Sequence, residues 1–197
     1  MMPEIMTGGC AVKYRSEATL KNGETLLLRS LGPQDAQQTL RVIQKASGET
    51  PYMMRDADEW TMTLEKEREV LADMQNAPKA LMLGAFVGDH LVGVGNLRTV
   101  HPGNRARHRA GLGISILKSH WGLGIGTAMM HAMIDAAKTT SLEQLELDVV
   151  STNESAIRLY KRCGFVEYGR HPHMMKYRDG TYADAVLMML CLRQSCR

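Results

Sequence analysis

The chain has 197 residues, 44% hydrophobic and 23% charged, with a formal net charge of +3. That length suits one well-packed domain and is short for two, and so small a charge excess argues neither for nucleic acid nor for a membrane surface. No apolar stretch approaches the roughly 20 residues a spanning helix needs, and Met1 to Gly9 carries Pro3, Glu4 and two glycines in place of the apolar core of a signal peptide, so a cytoplasmic protein is expected.

In chain order, residues 1–12 read as a flexible tail and residues 13–197 as a single domain. Tyr14 to Leu20 and Thr25 to Leu31 flank Asn22-Gly23, the dipeptide of a tight hairpin. Pro33 to Ser47 reads as a helix, with Pro33 in the first turn and Ala36, Leu40 and Ile43 at helical spacing. A loop from Gly48 to Trp60 precedes a second helix over Thr63 to Met74, rich in Glu and Lys. Ala80 to Val87 and His90 to Arg98 surround Gly88-Asp89 as a second hairpin, and Ala110 to Leu117 is a further strand. The clearest helix follows Gly124, where Ile125, Ala128, Met129, Ala132, Met133 and Ala136 make one apolar stripe. Leu145, Leu147 and Val149 alternate as a strand, Asn153 to Cys163 is a short helix closed by Gly164, and Phe165 to Tyr168 and Ala183 to Leu192 are closing strands. This order specifies a mixed α/β sheet and not a regularly alternating, doubly wound one.

Cys10, Cys163, Cys191 and Cys196 show no metal or disulfide spacing and read as free thiols. The 15 methionines read chiefly as core filling.

The chemistry concentrates in two segments. In the first, a strand runs through a short turn into Trp121-Gly122-Leu123-Gly124-Ile125-Gly126-Thr127, which opens the long helix. Glycines there permit a tight turn with several N–H groups aimed at one point, and the helix N-terminus adds unpaired donors and a partial positive charge, a ready diphosphate site. The segment lacks the Gly-Lys-Ser/Thr ending of a nucleotide-triphosphate loop, and its third glycine comes too early for a dinucleotide fold. A glycine-rich connection that binds nothing is the bland alternative. The second segment is Asn153-Glu-Ser-Ala156-Ile157-Arg-Leu159-Tyr160-Lys-Arg-Cys-Gly164-Phe165, whose Ala156 and Tyr160 share a helix face.

Together the two segments resemble the GNAT superfamily of N-acetyltransferases. The first matches its Gln/Arg-x-x-Gly-x-Gly/Ala motif with Trp121 in the leading position, and the second matches Asn-x-x-Ala-x-x-Leu-Tyr-x-x-x-Gly-Phe throughout. The resemblance implies a mostly antiparallel mixed sheet flanked by helices, with central strands splayed around the pantetheine arm of acetyl-CoA. It implies pairing of the Ile114 and Ile116 backbones with that arm, and a diphosphate held by Gly122, Leu123, Gly124, Ile125, Gly126 and Thr127. Asn153 would order the other side of the cleft and Tyr160 would protonate the leaving thiolate. The acyl donor is then acetyl-CoA, with no metal, and the acceptor a primary amine, with a small molecule favoured over a protein N-terminus or lysine. A non-enzymatic acyl-CoA-binding module is the rival class, and a homodimer is expected by analogy.

Other residues carry weaker readings. Asp58, Glu59, Glu146 and Asp148 are carboxylates considered as proton acceptors without a commitment to any. Arg105, Arg107 and Arg109 read as a solvated strand edge, and His171 and His173 as a face-sharing pair without a third metal ligand. Tyr52, Met53, Met54 and Trp60 form a loop in the region where the family varies to choose its acceptor.

Overall fold

The computed structural model describes residues 3–8, 11–101 and 103–193. Among them the strands form one nine-stranded sheet in the order β1-β2-β3-β4-β5-β6-β7-β9-β8. They are β1 (Glu4–Gly8), β2 (Ala11–Thr19), β3 (Thr25–Ser30), β4 (Leu81–Val87), β5 (His90–Thr99), β6 (Arg109–Ile116), β7 (Gln144–Val150), β8 (Val166–Lys176) and β9 (Tyr182–Cys191). All neighbours run antiparallel except β6 and β7, which run parallel. The helices are α1 (Ala36–Glu49), α2 (Leu64–Asn76), α3 (Ile125–Lys138) and α4 (Glu154–Arg162). No helix among the described residues is long and apolar enough to cross a membrane.

Strand alternation divides the core between the two faces of the sheet. Leu26 and Leu28 of β3 join the cluster built on α3, with Met129, Met130 and Met133 fully buried. The intervening Leu27 packs against a second cluster with Val42 of α1 and Leu71 of α2. The α3 methionines lie on glycine positions of β5: a side chain at Gly93 or Gly95 would come within 3.2 Å or 3.1 Å of a methionine sulfur. Flexible thioethers thus fill the space that two missing side chains leave, as the composition suggested.

The structure revises three readings. Glu4–Gly8, placed in a tail from sequence, pairs along its length with β2; Cys10 and Cys196 lie outside the described residues. The Pro33 segment begins as a 3-10 turn over Pro33–Asp35 before α1 proper. The strand at Val166 runs on to Lys176, and its register against β9 shifts between His171 and Met175. That bulge separates the two histidines: His173 takes a φ of 53° and stacks at 4.9 Å on Tyr182, while His171 faces the cleft.

The feature that positions the site is the parting of β6 and β7. Their pairing is confined to Arg109↔Gln144, Ala110↔Leu145 and Gly111↔Glu146. Beyond that point β6 continues to Ile116 and β7 to Val150 without pairing, and a cleft of about 840 Å³ opens between them. An ion pair clamps the closed end. Arg109 grips Glu146 through Nε and through Nη2, the latter at 2.6 Å, and this hydrogen bonding holds the Glu146 carboxyl below its usual range.

Candidate active site

The cleft has two walls that end in helix N-termini, and they differ. On the β7 side, Asn153 caps α4: its Oδ1 accepts from the Ala156 N–H at 3.3 Å and from the Ser155 hydroxyl at 3.1 Å. On the β6 side the residue before α3 is Gly124, which has no side chain to cap with. The first helical bond there runs from the Ala128 N–H to the Gly124 carbonyl, so the N–H groups of Ile125, Gly126 and Thr127 have no helical acceptor. No acidic side chain occupies the first turn of α3. One helix end is closed by its own side chain and the other is left open toward the cleft.

The loop leading to that open end requires glycine. Gly122 and Gly124 have φ of 77° and 98°, in the left-handed region that costs other residues energy. A side chain at either position would meet nothing within 4 Å, so their Cα faces open onto free space. Uncapped donors, a helix dipole and room for a ligand coincide here, and the arrangement fits the diphosphate of a coenzyme A.

The β6 wall supplies main-chain groups. The Leu117 N–H donates to Val92 of β5 at 2.9 Å. In an antiparallel ladder residues alternate in the side they address, so the N–H and C=O groups of Ile114 and Ile116 point away from β5 and into the gap. The Ile116 carbonyl is already taken: the Trp121 indole N–H donates to it at 2.8 Å. Trp121 ties the glycine loop to the end of β6 and is itself 48% exposed beside the cleft. Its place at the head of the motif gave no sign of this contact.

Of the residues singled out from sequence, Ile114, Ile116, Gly122, Gly124, Ile125, Gly126, Thr127, Asn153 and Tyr160 all line this one cleft. Leu123 does not. It packs against the core, and its carbonyl accepts from the Lys21 N–H at 3.3 Å. Tyr160 is 7% exposed, its ring 6.0 Å from that of Phe165. Burial, helped by the neighbouring Cys163, pushes its phenol up to about 12.

The carboxylates sort themselves by partner. Glu146 is committed to Arg109 at the strand junction. Glu59 accepts from the Asp56 N–H at 2.8 Å, closing a short 3-10 turn. Asp58 is engaged by Arg178, whose hydrogen bond lowers its pKa. Asp148 is exposed and, among the described residues, is the carboxylate that lines the cleft. Arg105 and Arg107 lie in the turn before β6 and not on a strand edge. Among the described residues no group of three or more His, Cys, Asp or Glu could hold a metal ion.

The far end of the cleft is walled by Thr50, Tyr52, Met53, Met54, His171 and Met174. Trp60 is not among them; its indole N–H donates to the buried Ser47 of α1 at 2.9 Å and anchors the loop from behind. The front of the loop is held by exposed contacts. Arg178, in the β8–β9 turn, reaches Asp56 at 2.6 Å as well as Asp58, and the Tyr52 hydroxyl donates to the Thr152 carbonyl at 3.4 Å. Sequence reading missed Lys21, Thr50 and Met174, which line the cleft, and Arg178, which fastens the loop through Asp56 and Asp58, for each acts through contacts between distant segments.

Comparison with known proteins agrees with this geometry. Residues 45–165 match the model of the acetyltransferase (GNAT) family. An N-alpha-acetyltransferase from Sulfurisphaera tokodaii is 41% identical over 76 residues, a match spanning 38% of this chain and 43% of that protein, less than half its length. The crystal structure of an acetyltransferase of the GNAT family from Streptococcus pneumoniae superposes with a TM-score of 0.79 at 28% identity, covering 84% of this chain and 98% of that one. A phosphinothricin acetyltransferase from Sinorhizobium meliloti, solved in complex with acetyl-CoA, gives 0.75 at 14% identity over 88% of this chain and 89% of that one, and so shares the fold.

Proposed function

Because this chain belongs to the GNAT acetyltransferase family, we propose that it is an acetyl-CoA-dependent N-acetyltransferase whose acceptor is a primary amine, with both reactants held in the β6/β7 cleft. The observation that carries the reading is the uncapped N-terminus of α3, which opens into the same cleft as the parted strands and Tyr160. In this scheme the sheet from β1 to β9 and its flanking helices act as one domain.

Each residue has a task set by its surroundings. The main-chain N–H groups from Gly122 to Thr127 hold the diphosphate, and the Ile114 backbone pairs with the pantetheine arm as a strand would, the Ile116 carbonyl being held by the Trp121 indole. When bound, the thioester supplies an acyl group activated toward an amine. The Ile116 N–H, on the gap side of β6, is placed to stabilise negative charge as it develops on the carbonyl oxygen. Tyr160 keeps its proton at neutral pH because burial raises its phenol, and it donates that proton to the departing sulfur. Asp148 accepts the acceptor's proton, directly or through water, since the other carboxylates considered are held by partners outside the cleft. Holding both reactants together removes several kcal/mol of entropic cost when alignment is good.

A small amine with an apolar neighbour group suits the thioether and tyrosine wall of the far end. The second reading, the α-amine of a protein, is favoured by the resemblance to the N-alpha-acetyltransferase. Thiol release from acetyl-CoA tests both, with a panel of small primary amines beside short peptides bearing free N-termini. Turnover with small amines supports the first reading, and turnover confined to peptides replaces it with the second. Thiol release with neither class contradicts the enzymatic proposal.

A further inference from the structure

The β2–β3 hairpin belongs to neither family segment, yet its tip touches the glycine loop. The Lys21 N–H donates to the Leu123 carbonyl at 3.3 Å, in the middle of Gly122-Leu123-Gly124. The tip is shaped by local bonds. Leu20 N–H donates to the Glu24 carbonyl at 2.9 Å, Gly23 N–H to the Leu20 carbonyl at 3.0 Å, and Gly23 takes a φ of 86°. Lys21 therefore sits at a defined place, and its exposed side chain lines the cleft beside Gly122, Gly124 and Thr127.

Among the described residues no carboxylate forms an ion pair with that ammonium. Glu24, the hairpin's own carboxylate, is bound by the Asn22 side-chain amide, and its N–H in turn donates to Asn22 Oδ1 at 3.2 Å. The first turn of α3 has no acidic residue, and Asp148 stands on the opposite wall, on β7. Of the other basic side chains lining the cleft, Arg162 closes the far end of α4, His120 sits in the turn before Trp121 and His171 lies on β8. A lysine with a flexible stem and three donors, next to a ring of uncapped N–H groups, is matched to a ligand that carries concentrated negative charge.

We propose that Lys21 binds the diphosphate of the acyl donor, so that the N-terminal hairpin supplies a side-chain cation to a site otherwise built from main-chain donors. The inference rests on the reading of the cleft as a coenzyme A site and adds a residue to it. The main-chain bond to Leu123 holds the hairpin in place whatever side chain stands at position 21, so charge can be removed without moving the loop.

Calorimetric titration of coenzyme A and of 3′-dephospho-coenzyme A into the full chain tests this. For Lys21→Met, which keeps the apolar stem, affinity should fall about fivefold to tenfold for both ligands in low salt, as for loss of one partly exposed charge-assisted contact. The deficit should shrink in high salt, while Lys21→Arg should stay close to wild type. Unchanged affinity in Lys21→Met, or a loss that vanishes with the dephospho ligand, would overturn the assignment, the latter by moving the charge to the 3′-phosphate. A deficit equal in Lys21→Arg and indifferent to salt would overturn it too, as damage to the hairpin. Failure of the wild type to bind either ligand would instead sink the underlying coenzyme A reading.

Discussion

The two ends of the cleft are built by different means. The end formed by β6, the glycine loop, α3 and α4 presents main-chain groups whose directions are set by a buried core: Met129 and Met133 lock α3 onto β5, and Arg109 with Glu146 closes the strand junction. The other end presents long side chains on a loop and on β8, and the loop is fastened to the turn after β8 by Arg178 with Asp56 and Asp58, all exposed to water. A thioester donor shared by every turnover can be served by rigid backbone. In the proposed scheme the acceptor meets parts whose fastenings are weak and exchangeable, which is how one fold is turned to many substrates.

Substitutions at the two ends should therefore have unequal effects. Gly124→Val forces a β-branched side chain into a φ of 98° and fills the space before α3, and we expect coenzyme A affinity to fall at least about a hundredfold by calorimetry. Affinity within a few fold of wild type would remove the diphosphate from that loop. Tyr160→Phe should lower kcat by about a hundredfold while coenzyme A affinity stays constant, as for loss of a general acid.

The phenol also makes a statement about pH. Its pKa is raised to about 12, so the protonated, active form persists well above neutrality and is lost only as pH rises through that value. The kcat profile of the wild type should show no descending limb from this group between pH 7 and 10, roughly the range in which an unperturbed phenol would begin to ionise. A limb there that disappears in Tyr160→Phe would contradict the burial argument.

Asp148→Asn should cost about tenfold to a hundredfold in turnover at neutral pH, with the deficit narrowing as pH rises and free amine accumulates in solution. A deficit independent of pH would place Asp148 in binding and not in proton transfer. The smallest effect is expected at the acceptor end. Arg178→Ala should raise the acceptor KM by about twofold to fivefold without altering coenzyme A affinity, and high salt should produce much of the same shift in the wild type. Equal losses for donor and acceptor would erase the contrast between the two ends.

That contrast also governs how far the amino-acid sequence could be read. Gly122 and Gly124 were legible because a positive φ leaves a chemical mark, and Asn153 and Tyr160 because the segment that holds them resembles the family's second motif at every position. Ile114 and Ile116 were assigned to the gap by the family resemblance, and the alternation along β6 puts their main-chain groups on the side away from β5. Leu123 shows the limit: a motif names a run of residues, and only the fold decides that this one turns its side chain into the core. Lys21 and Arg178 could not be found, because each matters through a neighbour remote in sequence. Glu4–Gly8 looked like a tail because Glu-Ile-Met-Thr-Gly shows no apolar alternation, and only its pairing with β2 reveals it as a strand.

The most direct test of the account is a crystal structure of the full chain grown with coenzyme A. We expect diphosphate oxygens within about 2.7–3.2 Å of N–H groups between Gly122 and Thr127, with the pantetheine arm running between β6 and β7 toward Tyr160. A coenzyme bound elsewhere, or β6 and β7 closed against each other along their full length, would contradict it.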